Sequence, residues 1–136
     1  MTEPVFLDTS GLYAVLDGDD ECNAAAAGTW RSLLASDASL HTSNYVLIEL
    51  EALLQRRHGL DAAGVLATYI VPVTNLVWID ERVHAQAMAA VLGARRREVS
   101  LVDHTSFILM RNLGLRSALT TDRHFAEQGF NIMPRL

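Results

Sequence analysis

Val5-Phe6-Leu7-Asp8-Thr9-Ser10 sets the architecture of this chain. A short apolar run that stops at a carboxylate has the length and composition of a buried strand. Thr9 to Leu16 then has helical character, so the chain opens as a strand feeding directly into a helix. Asp, Thr and Ser are all good helix N-caps, and for this segment alone capping and cation ligation stand about even.

The strand-then-helix pattern recurs outward from that segment. Asp17-Gly18-Asp19-Asp20 breaks the first helix, and Glu21 to Ala35 reads as a second, carrying Trp30, Leu33 and Leu34. Ser39-Leu40-His41-Thr42 is a short strand, and Asn44 to Arg57 a strong helix capped by Ser43 or Asn44. Gly59 ends that helix, Asp61 opens another through about Ile70, and Pro72 stops it. Leu76-Val77-Trp78-Ile79 is a strand, followed by a helix from Glu81 to Leu92 ended by Gly93. Ser100-Leu101-Val102-Asp103 opens a helix running to about Asn112, with Gly114 as its stop. Ser117 to Thr120 is a strand, Asp122 to Gln128 a short helix ended by Gly129, and Phe130-Asn131-Ile132 a last strand. Short strands alternating with helices predict an α/β fold, a three-layer sandwich around a parallel sheet. Sites in such sheets form beyond the carboxyl ends of the strands. No repeat or linker interrupts the pattern, so residues 1–136 are expected to form one domain.

Composition narrows the classes. Half the residues are apolar, enough for a real core, and no apolar run approaches the ~20 residues of a membrane span. Met1-Thr2-Glu3-Pro4 lacks the basic n-region of a secretory leader. The single cysteine, Cys22, allows no internal disulfide, which suits a reducing cytoplasm, and an inert small side chain is its simplest role. A net charge of −5 argues weakly against a nucleic-acid partner, an argument that bound cations would reverse. All eleven basic residues are arginines. Arginine suits bidentate phosphate contacts, but genomic base composition is the better explanation of an arginine-only chain.

Four acidic residues stand out: Asp8, Glu49, Asp103 and Asp122. Each has an alternative. Ser100-x-x-Asp103 matches a capping box with Asp in place of Glu. Asp122 suits an N-cap, with Arg123 or His124 able to neutralise it. Glu49 sits in an apolar stripe with Tyr45, Val46, Ala52 and Leu53, so it must be buried and satisfied or face a cleft. Glu51 has comparable neighbours, and periodicity does not choose between the two. The joint pattern says more than any member, because all four fall near one edge of the predicted sheet. Bunched carboxylates repel and cost stability. A hard divalent cation with a preference for oxygen gives a reason to gather them, and such ions drive in-line attack on phosphodiesters.

The residues also resemble a known family, the PIN-domain ribonucleases, and in particular the VapC-type toxins of bacterial toxin–antitoxin pairs. Phe6-Leu7-Asp8-Thr9-Ser10 is similar to the opening motif, and Thr42-Ser43 through Val46-Leu47-Ile48-Glu49 to the second, which selects Glu49 over Glu51. Ser100-Leu101-Val102-Asp103 is similar to the third, and Thr121-Asp122-Arg123-His124-Phe125 to the fourth. Their order and spacing span nearly the whole chain. The resemblance implies an α/β/α sandwich, Mg²⁺ or Mn²⁺ as cofactor, single-strand-selective RNA cleavage, a homodimer, and a small antitoxin that blocks the site.

On this reading Asp8, Asp103 and Asp122 hold the metal directly or through water, and Glu49 completes the cage or orients the attacking water. Thr9, Ser10 and Thr121 are candidates to hydrogen-bond those carboxylates. His104 departs from the family pattern and is expected at the surface. Arg56-Arg57 and Arg95-Arg96-Arg97 are candidate RNA-backbone contacts, although cations at helix C-termini suit the dipole without any ligand. Trp30, Leu33, Leu34 and the helix from Glu49 to Leu54 are candidate partner surfaces, with core packing the simpler use. A receiver domain and a P-loop site both require a lysine that this chain lacks, and a haloacid-dehalogenase site requires Asp where Ser10 stands. A non-catalytic PIN-like module binding RNA or protein, and a housekeeping PIN nuclease without an antitoxin, are the alternatives.

Overall fold

In the computed structural model, which describes residues 2–135, the opening stretch is strand β1 (Val5–Leu7), fully buried, followed by helix α1 (Thr9–Leu16). Then come α2 (Asn23–Ala35), β2 (Leu40–Ser43), α3 (Asn44–His58), α4 (Leu60–Val65), β3 (Asn75–Val77), α5 (Glu81–Ala94), α6 (Leu101–Leu113), β4 (Ser117–Leu119), α7 (His124–Glu127) and β5 (Asn131–Met133). The five strands form one parallel sheet in the order β3-β2-β1-β4-β5. Because every pair is parallel, all five carboxyl ends lie at one edge, and Asp8 follows the central strand. The register sets Leu7 beside Leu119 and Ser43 beside Val77. No described helix is long and apolar enough to cross a membrane.

The predicted capping devices are present. Ser43 caps α3 by accepting from the Val46 amide at 3.2 Å. Asn44 does something else: its side chain accepts from the Ile79 amide at 2.7 Å, tying α3 to the segment after β3. Ser100 and Asp103 form a reciprocal capping box at the start of α6, and Gly114 ends that helix with φ of 70°.

Several helix boundaries differ from expectation: α2 starts at Asn23 rather than Glu21, α3 ends at His58 rather than Arg57, and α7 spans His124–Glu127 rather than Asp122 to Gln128. Gly93 does not stop α5, which runs to Ala94 and ends at Arg95 in the left-handed region. A glycine inside a helix costs about 1 kcal/mol, which tertiary packing overrides. The helix opened near Asp61 is not uniform: α4 passes at Leu66–Ile70 into a π turn, and the turn around Pro72 is 3-10.

The core joins the sheet to α1, α3 and α6 through Phe6, Leu7, Leu12, Val46, Leu50, Leu54, Met110 and Leu119. Phe107 packs edge-on against Phe125, with centroids 4.9 Å apart, and Phe130 lies beside both. His104 is not at the surface. It is buried edge-on against Phe107, and its Nε2 has no hydrogen-bond partner among the described residues. Its position on α6 turns it to the core face, which position in the motif could not show. Of the candidate partner residues, Trp30, Leu33, Leu50 and Leu54 are core, whereas Leu34 is exposed.

Gly11 decides how the first helix sits. A Cβ there would lie 2.2 Å from the Leu119 carbonyl oxygen and 2.8 Å from the Thr120 nitrogen. Only glycine lets the first turn of α1 approach the end of β4 so closely. That approach brings Asp8 and Ser10 onto Thr120.

Candidate active site

At the carboxyl edge of the sheet lies an open cleft of about 320 Å³. Asp8, Glu49, Asp103 and Asp122 all line it, together with Thr9, Ser10, Tyr13, Asp20, Leu53, Ser100 and Thr121. Asp8 arrives from the end of β1, Glu49 from α3, Asp103 from the first turn of α6, and Asp122 from the segment after β4. Glu51 lies instead on an apolar groove with Leu47 and Ile48, so the fold separates the two glutamates that periodicity left equivalent.

Asp8 is the most constrained of the four. It caps α1 and is only 3% exposed. Ser10 Oγ donates to its Oδ2 at 2.7 Å, Thr120 Oγ1 at 2.8 Å, and the Ser10 amide weakly at 3.4 Å. All three bonds fall on one oxygen, so Oδ1 is the one turned to other uses. Burial pushes the carboxyl up to about 7, against the hydrogen bonds from Ser10 and Thr120; the charges of Asp103 and Asp122 push in the same direction as burial. Asp103 is likewise raised, first by burial, with a contribution from Asp122 and with the Ser100 bonds opposing. These acids therefore feel one another across the cleft.

Asp122 is held by its own neighbours. Its Oδ1 accepts from the His124 amide at 2.9 Å and lies 2.8 Å from His124 Nδ1. That imidazole contact has ion-pair distance but lacks hydrogen-bond angles. Arg123, the other candidate neutraliser, makes no ion pair among the described residues.

The supporting shell is partly the expected one. Ser10 bonds Asp8, as predicted. Thr9 does not: its Oγ1 is buried with no partner among the described residues. Thr121 contributes its backbone, donating to Ser10 Oγ at 3.0 Å. Thr120, not anticipated, links the two strand ends by donating to Asp8 and accepting from the Asp122 amide at 3.0 Å. Its place directly before Thr121-Asp122 was the one available signal, and it is a weak one. Asp20 and Tyr13 also enter the cleft unannounced, because both come from a helix and loop with no motif of their own.

Every charged donor in the cleft is a carboxylate, and two of them are held above their ordinary range by burial. Hard oxygen ligands with uncompensated charge fit Mg²⁺ or Mn²⁺. Among the described residues no three metal-ligating side chains converge into a finished cage.

Fold and cleft together define an α/β/α sandwich with an acidic centre at the carboxyl edge of its sheet. The chain belongs to the PIN-domain family, whose model matches residues 5–131. It is 33% identical over 127 residues to the 23S rRNA-specific endonuclease VapC20 of Mycobacterium tuberculosis, covering 93% of this chain and 95% of the relative, in both strain H37Rv and strain CDC 1551. The crystal structure of M. tuberculosis VapC20, described as a sarcin-ricin loop cleaving toxin, superposes with a TM-score of 0.80 over 93% of this chain and 95% of that one. PAE2754 from Pyrobaculum aerophilum shares the fold, with a TM-score of 0.67 at 15% identity over 97% of this chain and 90% of its own. FitAcB from Neisseria gonorrhoeae does so too, at 0.67 and 17% over 94% and 95%.

Proposed function

We propose that this chain is a divalent-metal-dependent endoribonuclease and the toxin of a toxin–antitoxin pair. The observation that carries the reading is the meeting of four sequence-distant carboxylates in one cleft, with Asp8 buried and held near neutrality by its surroundings. Similarity over nearly the full length to a 23S rRNA-specific endonuclease supports ribosomal RNA as the substrate class.

Asp8, Asp103 and Asp122 would hold Mg²⁺ or Mn²⁺, in part through water, with Glu49 at the rim. Bound there, the cation supplies charge neutralisation and a more acidic water. The chain's own residues do the rest. Ser10 and Thr120 fix Asp8 by its Oδ2 and leave Oδ1 for ligation. Ser100 fixes Asp103 through the Oδ2 that accepts its amide at 2.9 Å. Glu49 is exposed and its side chain makes no hydrogen bond among the described residues, so it is free to orient the attacking water and take its proton. A small antitoxin would act by covering this cleft. The protein is proposed to work as one domain over residues 1–136, as a homodimer, in the cytoplasm.

The test is cleavage of a mixed RNA pool, with 23S rRNA included, by purified protein with Mg²⁺ or Mn²⁺ and with EDTA. Asp8→Asn and Asp103→Asn serve as folded controls. Metal-dependent cleavage that both variants lose is expected, by at least about a hundredfold. Full activity in both variants would end the reading.

A further inference from the structure

The acidic cleft does not stand alone. A second depression, lined by Asp20, Glu21, Cys22, Thr121 and Arg123, shares Asp20 and Thr121 with it. Tyr13 is another wall of the acidic cleft, and Arg57 sits against that ring, with its guanidinium carbon 5.5 Å from the centroid. We infer that a single RNA strand lies along one continuous trough, with backbone phosphates held by Arg123 on one side of the carboxylate centre and by Arg57, stacked on Tyr13, on the other. This rests on the ribonuclease reading and names the part of the protein that would hold the substrate.

Three observations carry it. First, Glu49, Leu53 and Arg57 follow one another at four-residue spacing on α3, so one helix face runs from the cleft to the arginine. That is about 12 Å along the helix, on the order of three stacked nucleotides. Second, both arginines have donors to spare. Arg57 makes one described hydrogen bond, from Nη1 to the Tyr13 hydroxyl at 3.4 Å, out of the five that a guanidinium offers. Arg123 is exposed, with no described side-chain bond. Arg96, by contrast, is taken by Glu98 and Glu127, and Arg111 by Gln128. The Arg95–Arg97 cluster lines neither depression but a separate one with Val91 and Leu92. Third, the trough is otherwise acidic, so a polyanion needs cationic contacts outside the metal centre to stay bound. A guanidinium resting on an aromatic ring is held in place while its outer edge remains open to a phosphate. Tyr13 OH also contacts His58 Nε2 at 3.2 Å, which steadies the ring.

The experiment measures binding of a short fluorescein-labelled single-stranded RNA of mixed sequence by the full chain. Ca²⁺ replaces Mg²⁺ to satisfy the carboxylates, and salt is varied between about 50 and 200 mM. Arg57→Gln and Arg123→Gln are each expected to weaken binding about three- to tenfold and to flatten the salt dependence by about 0.7 in log–log slope, with the double variant losing about twice that slope. Arg116→Gln, at the opposite edge of the sheet where β4 begins, should bind as the parent does. Arg57→Lys should restore most of the slope, which a purely structural link from α3 to Tyr13 would not do. Parent protein that neither binds nor cleaves any RNA would overturn the ribonuclease reading itself. Parent protein that binds, with both Gln variants unchanged in affinity and slope, would overturn the trough alone.

Discussion

Replacing Asp8 by asparagine should make the metal-free protein more stable, against the usual effect of altering a buried polar residue. Burial holds this carboxyl at about 7 where the unfolded chain ionises near 3.8. Below about pH 4 both states are protonated and no penalty applies. As pH rises from there the unfolded state ionises first, so stability falls until the folded carboxyl also ionises near 7, and above that the loss is constant. The full separation corresponds to about 4 kcal/mol, and local relaxation leaves about half of it. Asparagine keeps a carbonyl oxygen for Ser10 and Thr120 and carries no charge, so the gain appears at high pH and vanishes at low pH. For a domain of this size it amounts to a rise in Tm of about 5–10 °C at pH ~8. The assay is thermal unfolding of both proteins in EDTA across about pH 4 to 8, then again with excess Mg²⁺. Mg²⁺ should raise the Tm of the parent more than that of the variant, because on the proposed reading the ionised carboxylate is what the ion would bind. A variant no more stable than the parent at pH ~8 in EDTA, or a gap independent of pH, would refute the reasoning.

Thr120→Val removes a donor to Asp8 and leaves the Asp122 amide without its acceptor, so a loss of about 1–3 kcal/mol is expected in chemical denaturation. Because the Thr120 bond lowers the Asp8 carboxyl, the same change should move the acidic limb of a pH–rate profile to higher pH. Gly11→Ala drives a methyl into the Leu119 carbonyl and should cost about 3 kcal/mol or more, visible as a collapsed Tm or insoluble expression. Ser100→Ala removes the acceptor for the Asp103 amide at the start of α6; a loss of about 1 kcal/mol by urea denaturation is expected. Unchanged stability there would mean that the second half of the capping box, Asp103 on the Ser100 amide, suffices.

Features that act at short range along the chain were the ones legible in the sequence. The strand-to-helix order, the parallel sheet and the caps at Ser43 and Ser100 were legible because each depends on neighbours within a few residues. Asp8, Asp103 and Asp122 were nominated by the same local logic, as acids at strand ends and helix starts. Glu49 was chosen over Glu51 only by resemblance, since both lie on one helix with similar neighbours, and it is the placement of α3 against the sheet that puts one in the cleft and the other on a separate groove. His104 was misread for the complementary reason: a polar residue beside a ligand motif says nothing of which face of α6 the core will claim.

By itself the sequence determined the class of fold and nominated Asp8, Asp103 and Asp122, because hydrophobic period, capping chemistry and turn residues act locally. The tertiary structure alone decided what surrounds those acids. Thr120 reaches Asp8 across 112 residues of chain, and does so because Gly11 has no side chain to hold α1 away from β4. Burial by that packing, rather than anything in the residues near Asp8, raises its carboxyl to about 7. The Arg57–Tyr13 stack is likewise a contact between α1 and α3 that no local pattern encodes. Charge and burial at a site are sums over residues brought together through space, so they exist only once the chain has folded.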